Sequence, residues 1–311
     1  MLNSTKNEIC KLVESRILID EPLKKHTTFG VGGLASLFIY PNDIKDLKVI
    51  LKYSSKNKIK IFFMGSGSNL LISDNGFDGI IVCLKKSFKN FELNNHFEAK
   101  IGTGVMLGHI VRNLTKKSVI GLESLIGVPG TLGGALIMNA GAYGHEISNY
   151  LISIKAISLD GQERIYKKND LNFSYRYSSI LETEIVVEAQ FKFKVGDLNE
   201  INYGKSKASK SRRKSQPLQF RSAGSIFKNP NSNQAAGYLI DKANLKGTRI
   251  GDAEISTKHA NFIINHGQAS SEDILKLIKL IKSKVKNQFD INLKLEVKLL
   301  GFNTQELRGI T

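Results

Sequence analysis

Cysteine is nearly absent. The two that occur, Cys10 and Cys83, form no C-x-x-C pair. Neither a thiolate zinc site nor a redox dithiol is signalled, and two reduced thiols are expected. The six histidines, at 26, 96, 109, 145, 259 and 266, show no close H-x-x-x-H spacing, so no metal site is expected. Long apolar runs are missing too. The longest candidates, such as Gly79–Leu84 and Leu299–Phe302, are strand-length, far short of the ~20 residues that span a bilayer. Residues Met1 to Glu8 carry no basic region followed by an apolar stretch, so a cytoplasmic protein without a secretory signal is expected. Acidic residues are in deficit: 28 Asp and Glu face 45 Lys and Arg, a net charge of +17. That points to an anionic partner. Only nine of the 45 are Arg, however, and nucleic-acid readers favour the planar guanidinium. A Lys-rich surface composition is the competing reading, and composition leaves both open.

What is present describes an ordinary folded chain. Its 311 residues are 41% hydrophobic and 23% charged, enough for about two domains of roughly 150 residues with real cores. Apolar residues at Ile9, Leu12, Val13 and Ile17 give residues 7–19 helical spacing. Residues 43–56 repeat it, with Asp43 placed to cap the start. Ile59–Met64 reads as a buried strand running into Gly65-Ser66-Gly67-Ser68-Asn69, with further strands at Leu70–Ile72 and Ile80–Val82. Asp160-Gly161 between Ile152–Leu159 and Glu163–Tyr166 predicts a hairpin on a primed turn. Glu184–Phe193 reads as a strand. A helix over 271–288 starts at Ser271, and a last strand runs from Leu293 to Leu300. This order gives an α+β architecture in at least two units.

Two glycine-rich segments carry the chemistry. In Gly65–Asn69 the glycines let successive N–H groups converge on an anion. A Rossmann loop is excluded, because Leu70 stands where its third glycine belongs and no helix follows. The second segment, Gly121–Gly144, holds seven glycines in 24 residues, threaded with apolar ones. That mixture suggests backbone packed closely against a flat or elongated ligand.

Together these segments resemble the UDP-N-acetylenolpyruvoylglucosamine reductase (UDP-N-acetylmuramate dehydrogenase) family, compact type II. The resemblance runs from His26-Thr27-Thr28-Phe29-Gly30-Val31-Gly32-Gly33 to about Gly301. It includes Gly65–Leu71, Gly127–Gly144, Tyr175-Arg176, Ala223-Gly224-Ser225-Ile226-Phe227-Lys228-Asn229-Pro230 and Leu295-Glu296-Val297, all in register. It implies a PCMH/vanillyl-alcohol-oxidase-type FAD-binding fold in two lobes, 1–85 and 86–195, with a C-terminal α+β substrate-binding domain over 196–311. It implies a flavoprotein oxidoreductase of peptidoglycan synthesis, and thus of cell-wall biogenesis, cell shape and cell division. NADPH would reduce bound FAD, and hydride would pass to the enolpyruvyl double bond of a UDP-linked sugar. A monomer with no nucleic-acid or membrane partner is expected.

Residue by residue, the resemblance implies Arg176, Ser225 and Glu296 as catalytic. Arg176 has the fork that suits a carboxylate, and Ser225 matches the proton donor. Glu296 alternates onto the face of Lys294 and Lys298, where a solvated strand face is the plain alternative. Cofactor contacts are implied for Gly65, Ser66, Gly67, Ser68, Asn69, Leu70, Gly127, Val128, Pro129, Gly130, Gly133, Gly134, Asn139, Gly141 and Ala142. Substrate contacts are implied for Tyr175 and Asn229, and Lys228 is added by its nearness to Ser225. His259 is read as structural. The basic run Lys205–Lys214 is read as a solvated helix face that also offers a rim for phosphates. The chain departs from the family pattern at Leu34 (usually Pro) and at His145 and Asn261 (commonly Gly). The rival readings are another PCMH-type flavin oxidoreductase, or a basic nucleic-acid-binding protein.

Overall fold

Local chemistry sets the clearest elements. Asp43 accepts a hydrogen bond from the Asp46 N–H at 2.9 Å and so starts the helix Ile44–Lys56. Leu47, Ile50, Leu51 and Ser54 then fall on one buried face. The helix Ser271–Phe289 is capped by a reciprocal box between Ser270 and Asp273, one residue before the expected start. It ends at Asp290, whose φ of 58° lies in the left-handed region.

The computed structural model describes residues 1, 3–230 and 234–310. In chain order the elements begin α1 (Asn3–Leu12), β1 (Arg16–Pro22), β2 (Leu34–Tyr40), α2 (Ile44–Lys56), β3 (Ile61–Met64), β4 (Leu70–Ile72) and β5 (Phe77–Cys83). They continue with β6 (Phe91–Leu93), β7 (Glu98–Gly102), α3 (Leu107–Lys116), β8 (Val119–Ile120), α4 (Leu132–Ile137), β9 (Gly141–Ala142) and β10 (His145–Glu146). Next come β11 (Leu151–Ser158), β12 (Glu163–Lys167), β13 (Phe173–Ser174), β14 (Tyr177–Ser178), β15 (Glu184–Lys192), β16 (Lys194–Val195) and α5 (Leu198–Ser215). The last are α6 (Ala236–Lys242), β17 (Arg249–Ile250), β18 (Ala253–Ile255), β19 (Ile263–Asn265), α7 (Ser271–Phe289) and β20 (Lys298–Leu300).

These form two units that interleave along the chain. The first comprises Met1–Ile19, Ser36–Ser66 and Gly79–Arg212. It holds a four-stranded sheet ordered β1-β2-β5-β3 and a five-stranded sheet ordered β12-β11-β15-β7-β6. It has two separate cores. One gathers Ile9, Leu37, Ile39, Leu47, Ile50, Leu51, Ile80 and Val82. The other gathers Ile101, Leu107, Ile110, Leu132, Leu136, Ile154, Ala189 and Phe191. The second unit comprises Asp20–Ala35, Gly67–Asp78 and Arg213–Thr311. It carries the parallel pair β4 and β20 and the sheet β17-β18-β19. Its core packs Phe29 and Leu71 against Phe227, Leu239, Ile263 and the buried face of α7.

Three readings shift. The first helix stops at Leu12, because Ile17-Leu18-Ile19 is a β-favouring run drawn into β1. Val13 and Ile17 still pack on the first core. The 160–161 hairpin closes through Leu159-Asp160-Gly161 and is pinned by the Ser158 N–H to Gln162 O bond. Only Gly161 has positive φ there, at 80°, so the turn is the three-residue form and not a two-residue primed one. Only Lys298–Leu300 of the last predicted strand is regular strand. Leu293–Val297 instead pairs irregularly with the segment that follows Ser225. Residues 198–214 fall in α5, whose only buried residues are Ile201 and Ala208. Lys207, Lys210, Arg213 and Lys214 are exposed on it, as a solvated face requires.

Candidate active site

In the first unit β3 delivers the Gly65 loop. β3 pairs in parallel with β5, from Ile61 opposite Ile80 to Met64 opposite Cys83. The Cys83 thiol donates to Gly65 O at 3.3 Å. A Cβ on Gly65 would lie 2.4 Å from Thr131 Oγ1, so only glycine lets this loop meet the start of α4. Thr131 immediately precedes α4, and the Gly133 N–H donates to Thr103 O at 3.0 Å.

Asn139, fully buried with a φ of 42°, is the knot of the second glycine segment. Its amide nitrogen donates to Glu146 Oε2 at 2.6 Å and to Ser174 O at 3.1 Å. Its oxygen accepts from the Ser148 N–H at 3.4 Å. The side chain is thus committed within the protein and shapes the loop. Beside it, Tyr175 and Arg176 form the tip of the two-residue hairpin between β13 and β14. Arg176 sits at φ 54°, half-buried, and its Nη1 donates to Gly141 O at 3.3 Å. Its guanidinium carbon lies 5.1 Å from the Tyr175 ring centroid, within cation–π range.

Sequence reasoning missed Arg212 as an individual residue. Its Nε is buried and has no hydrogen-bond partner among the described residues. A Cβ on Gly127 would come within 3.4 Å of its Cδ. Burial pushes the guanidinium below its ordinary range; Tyr143 works against that shift, and the Arg176 charge adds to it. Two guanidinium groups that repel each other persist where something anionic or electron-rich is to be met. The signal was there in the run Lys205–Lys214, but nothing local separated Arg212 from its exposed neighbours.

In the second unit the Ser225 segment is held from two sides. Ser225 bridges to Phe262, and the Ile226 N–H donates to Asn261 O at 2.9 Å. On the other side, the Glu296 N–H donates to Ile226 O at 2.8 Å and the Lys228 N–H to Lys294 O at 2.9 Å. Glu296 is therefore beside the Ser225 segment, which the linear pattern could not show. Ser225, Lys228 and Glu296 are all half-buried. The Asn69 amide donates to Glu296 O at 3.0 Å, and Asn69 O accepts from the Lys298 N–H. Asn229 Oδ1 accepts from the Ala236 N–H at 3.1 Å and starts α6. Asn261, one of the departures from the family pattern, binds Phe227 twice. It accepts from the Phe227 N–H at 2.9 Å and donates to Phe227 O at 2.8 Å. His259 rests 4.7 Å from the Phe262 ring, with Nδ1 buried and unbonded among the described residues, and burial lowers its pKa. No cluster of three His, Cys, Asp or Glu that could hold a metal occurs among the described residues.

Comparison with known proteins places these segments. Residues 35–165 match the model of an FAD binding domain, and 216–300 match that of the UDP-N-acetylenolpyruvoylglucosamine reductase C-terminal domain. The UDP-N-acetylenolpyruvoylglucosamine reductase of Bacillus pumilus is 38% identical over 96% of this chain and 99% of its own. The chain belongs to the UDP-N-acetylenolpyruvoylglucosamine reductase family. The Prochlorococcus marinus reductase is 43% identical over 90% of this chain and 96% of its own. The solved reductase of Thermus caldophilus superposes with a TM-score of 0.79 at 32% identity, covering 93% of this chain and 99% of that one. The fold is α+β with an FAD-type domain, as this reductase family requires. Among the described residues no helix is long and apolar enough to cross a membrane.

Proposed function

We propose that this chain is an FAD-dependent oxidoreductase. In this reading it uses NADPH to reduce UDP-N-acetylglucosamine enolpyruvate to UDP-N-acetylmuramate, a peptidoglycan precursor. The observation that carries the reading is the near full-length match to reductases of that name, at 38% and 43% identity. The segments of Ser225 and Glu296 lie inside the matched C-terminal domain, and both glycine segments, up to Ala142, inside the matched FAD domain.

The residues present fit a flavin nucleotide. Gly65 allows a close loop approach, Gly127 and Gly130 sit at φ 78° and 152°, and Arg212 offers a buried, unbonded Nε. Gly65–Leu70, Gly127–Ala142 and Arg212 would hold the group. FAD, when bound, supplies the hydride carrier between nicotinamide and enol ether. The chain's own residues bind, orient and protonate. Hydride addition to the double bond builds negative charge on the carboxylate side. Arg176, preset by its hairpin tip and its bond to Gly141, meets that charge. The proton for the carbon beside the carboxylate comes from the Ser225 hydroxyl. A serine is a weak acid, so Lys228, three residues on, stabilises the hydroxyl oxygen as the proton leaves. Glu296, beside the Ser225 segment, relays the proton back to Ser225. Tyr175 and Asn229 serve the substrate, Asn229 by fixing the start of α6.

The three separate cores support a three-part organisation of 1–85, 86–195 and 196–311, with residues 20–35 and 67–78 counted to the last part by their packing.

The test is a half-reaction experiment. Ser225→Ala should leave flavin reduction by NADPH intact and abolish sugar reduction. Equal loss of both steps would reject the serine as proton donor. A colourless protein that takes up no FAD would reject the whole reading.

A further inference from the structure

Within the first unit, Arg176 is held by a set of bonds that ends on the half-buried Glu146 carboxylate. The hairpin of β9 and β10 turns on Tyr143 and Gly144, whose φ values of 54° and 83° are both positive. That is the signature of a two-residue type I′ turn, and it sets Gly141 opposite Glu146. A Cβ on Gly141 would lie 2.8 Å from Glu146 Cγ. The Glu146 side chain therefore lies against the backbone of Gly141, the residue whose carbonyl accepts from Arg176 Nη1.

Glu146 reaches the Arg176 hairpin by a second route, through Asn139. One Asn139 amide hydrogen goes to Glu146 Oε2 at 2.6 Å, the other to Ser174 O at 3.1 Å, two residues before Arg176. Both groups can only accept, so the amide nitrogen faces them and the oxygen faces the Ser148 N–H. The Ser148 bond is long, at 3.4 Å, and holds the amide weakly. The short bond to the Glu146 carboxylate is charge-assisted, roughly twice as strong as a neutral one. It is the main anchor of a side chain that is fully buried.

The hairpin tip needs that anchor. Arg176 has a φ of 54°, a left-handed conformation that a non-glycine residue keeps only where its surroundings over-determine it. Two bonds hold it: Asn139 to Ser174 O, and Arg176 Nη1 to Gly141 O. Glu146 supports both, by its carboxylate and by its packing on Gly141. We propose that Glu146 is a positioning residue for Arg176, fixing Asn139 and β9 so that the hairpin tip presents its guanidinium in one place. This rests on Arg176 meeting the carboxylate of the enolpyruvyl sugar, as in the reading above. A misplacement of about 1 Å can cost on the order of 100-fold in rate, so partial release of the tip should cost about tenfold or more.

The test is anaerobic stopped-flow of the two half-reactions in the FAD-loaded enzyme, with UDP-N-acetylglucosamine enolpyruvate reoxidising the reduced flavin. Glu146→Ala should slow reoxidation by saturating sugar about tenfold or more, while flavin reduction by NADPH changes less than about twofold. Glu146→Gln keeps an acceptor oxygen for Asn139 without the charge, so its loss should be about threefold. Arg176→Ala should slow reoxidation about 100-fold or more. Adding Glu146→Ala to it should cost less than about a further twofold, because one residue acts through the other. Reoxidation by Glu146→Ala within about twofold of the parent overturns the proposal. So does a loss shared equally by the two half-reactions, and so does a Glu146→Ala loss that persists in full beside Arg176→Ala. Should Glu146→Ala not fold, Glu146→Gln goes through the same cycle. Reoxidation at the parent rate, or a loss that persists beside Arg176→Ala, then overturns the proposal. Reoxidation unaffected by Arg176→Ala is a separate failure: it rejects the role of Arg176 in the reading above, and the role of Glu146 with it.

Discussion

Replacing Asn261 by alanine removes both hydrogen bonds that its carboxamide makes to Phe227. Phe227 is fully buried, so its N–H and C=O are left without those partners and away from water. Each orphaned buried polar group costs about 1–3 kcal/mol, which gives a combined loss of about 3 kcal/mol in local stability. The segment at stake is the one that carries Ser225. Hydrogen exchange followed by mass spectrometry on a peptide covering 223–230 reads this directly. A loss of about 3 kcal/mol corresponds to roughly 150-fold faster exchange. Asn261→Gly should behave as Asn261→Ala does, even though glycine is common at this position in the family. Asn261→Asp keeps an acceptor for the Phe227 N–H but sets a carboxylate against the Phe227 carbonyl, so it should also loosen the peptide. Acceleration of less than about threefold in Asn261→Ala would refute the reasoning. The two bonds would then contribute nothing beyond what a small side chain allows.

Arg212→Met should leave the FAD-free protein as stable as the parent, or up to about 1 kcal/mol more stable, because it removes a half-buried cation whose buried Nε has no partner among the described residues. FAD affinity, read by fluorescence titration, should fall tenfold or more; a destabilised apoprotein with unchanged affinity would make Arg212 structural. The Cys83 thiol is buried and its pKa is pushed up to about 11 from an ordinary value of 9.0, chiefly by burial. A raised folded-state pKa means the stabilisation is complete below pH 9 and is lost as pH rises through about 11. Iodoacetamide at pH 8 should therefore label Cys10 well before Cys83, as counted by mass spectrometry. Ser270→Ala should cost about 1 kcal/mol in urea unfolding by breaking the capping box of α7; a change below about 0.3 kcal/mol would show that tertiary packing alone holds that terminus.

Local rules made much of the chain legible. The Asp43 cap with its i, i+3, i+4 apolar residues gave α2 to the residue, and the same logic placed α7 to within one residue at its start. Those signals act over one helical turn, so sequence carries them whole. The family motifs marked the segments around Gly65, Gly127, Arg176, Ser225 and Glu296. A segment can be matched because its residues are consecutive. The net charge of +17 told less. Exposed lysines on α5 account for part of it without any nucleic acid, while the one informative cation of that run, Arg212, looked like the others.

What the sequence determined by itself is therefore the family, the element types and the chemical groups available. Tertiary structure alone decided which groups are committed and which are left for a ligand. Asn139 reads as a cofactor contact and Asn261 as a departure from the family pattern, yet each is consumed by hydrogen bonds to partners distant in the chain. Arg212 reads as one more charge of its basic run, yet its buried Nε has no partner among the described residues. The strand-like run before β20 is broken because Leu293–Val297 pairs with the Ser225 segment instead of extending β20. Residues 20–35 and 67–78 fold with 213–311, an arrangement set by burial of Phe29 and Leu71 in the C-terminal core. Hydrogen-bond satisfaction and apolar burial are settled between segments far apart in sequence, and no local pattern encodes which of them meet.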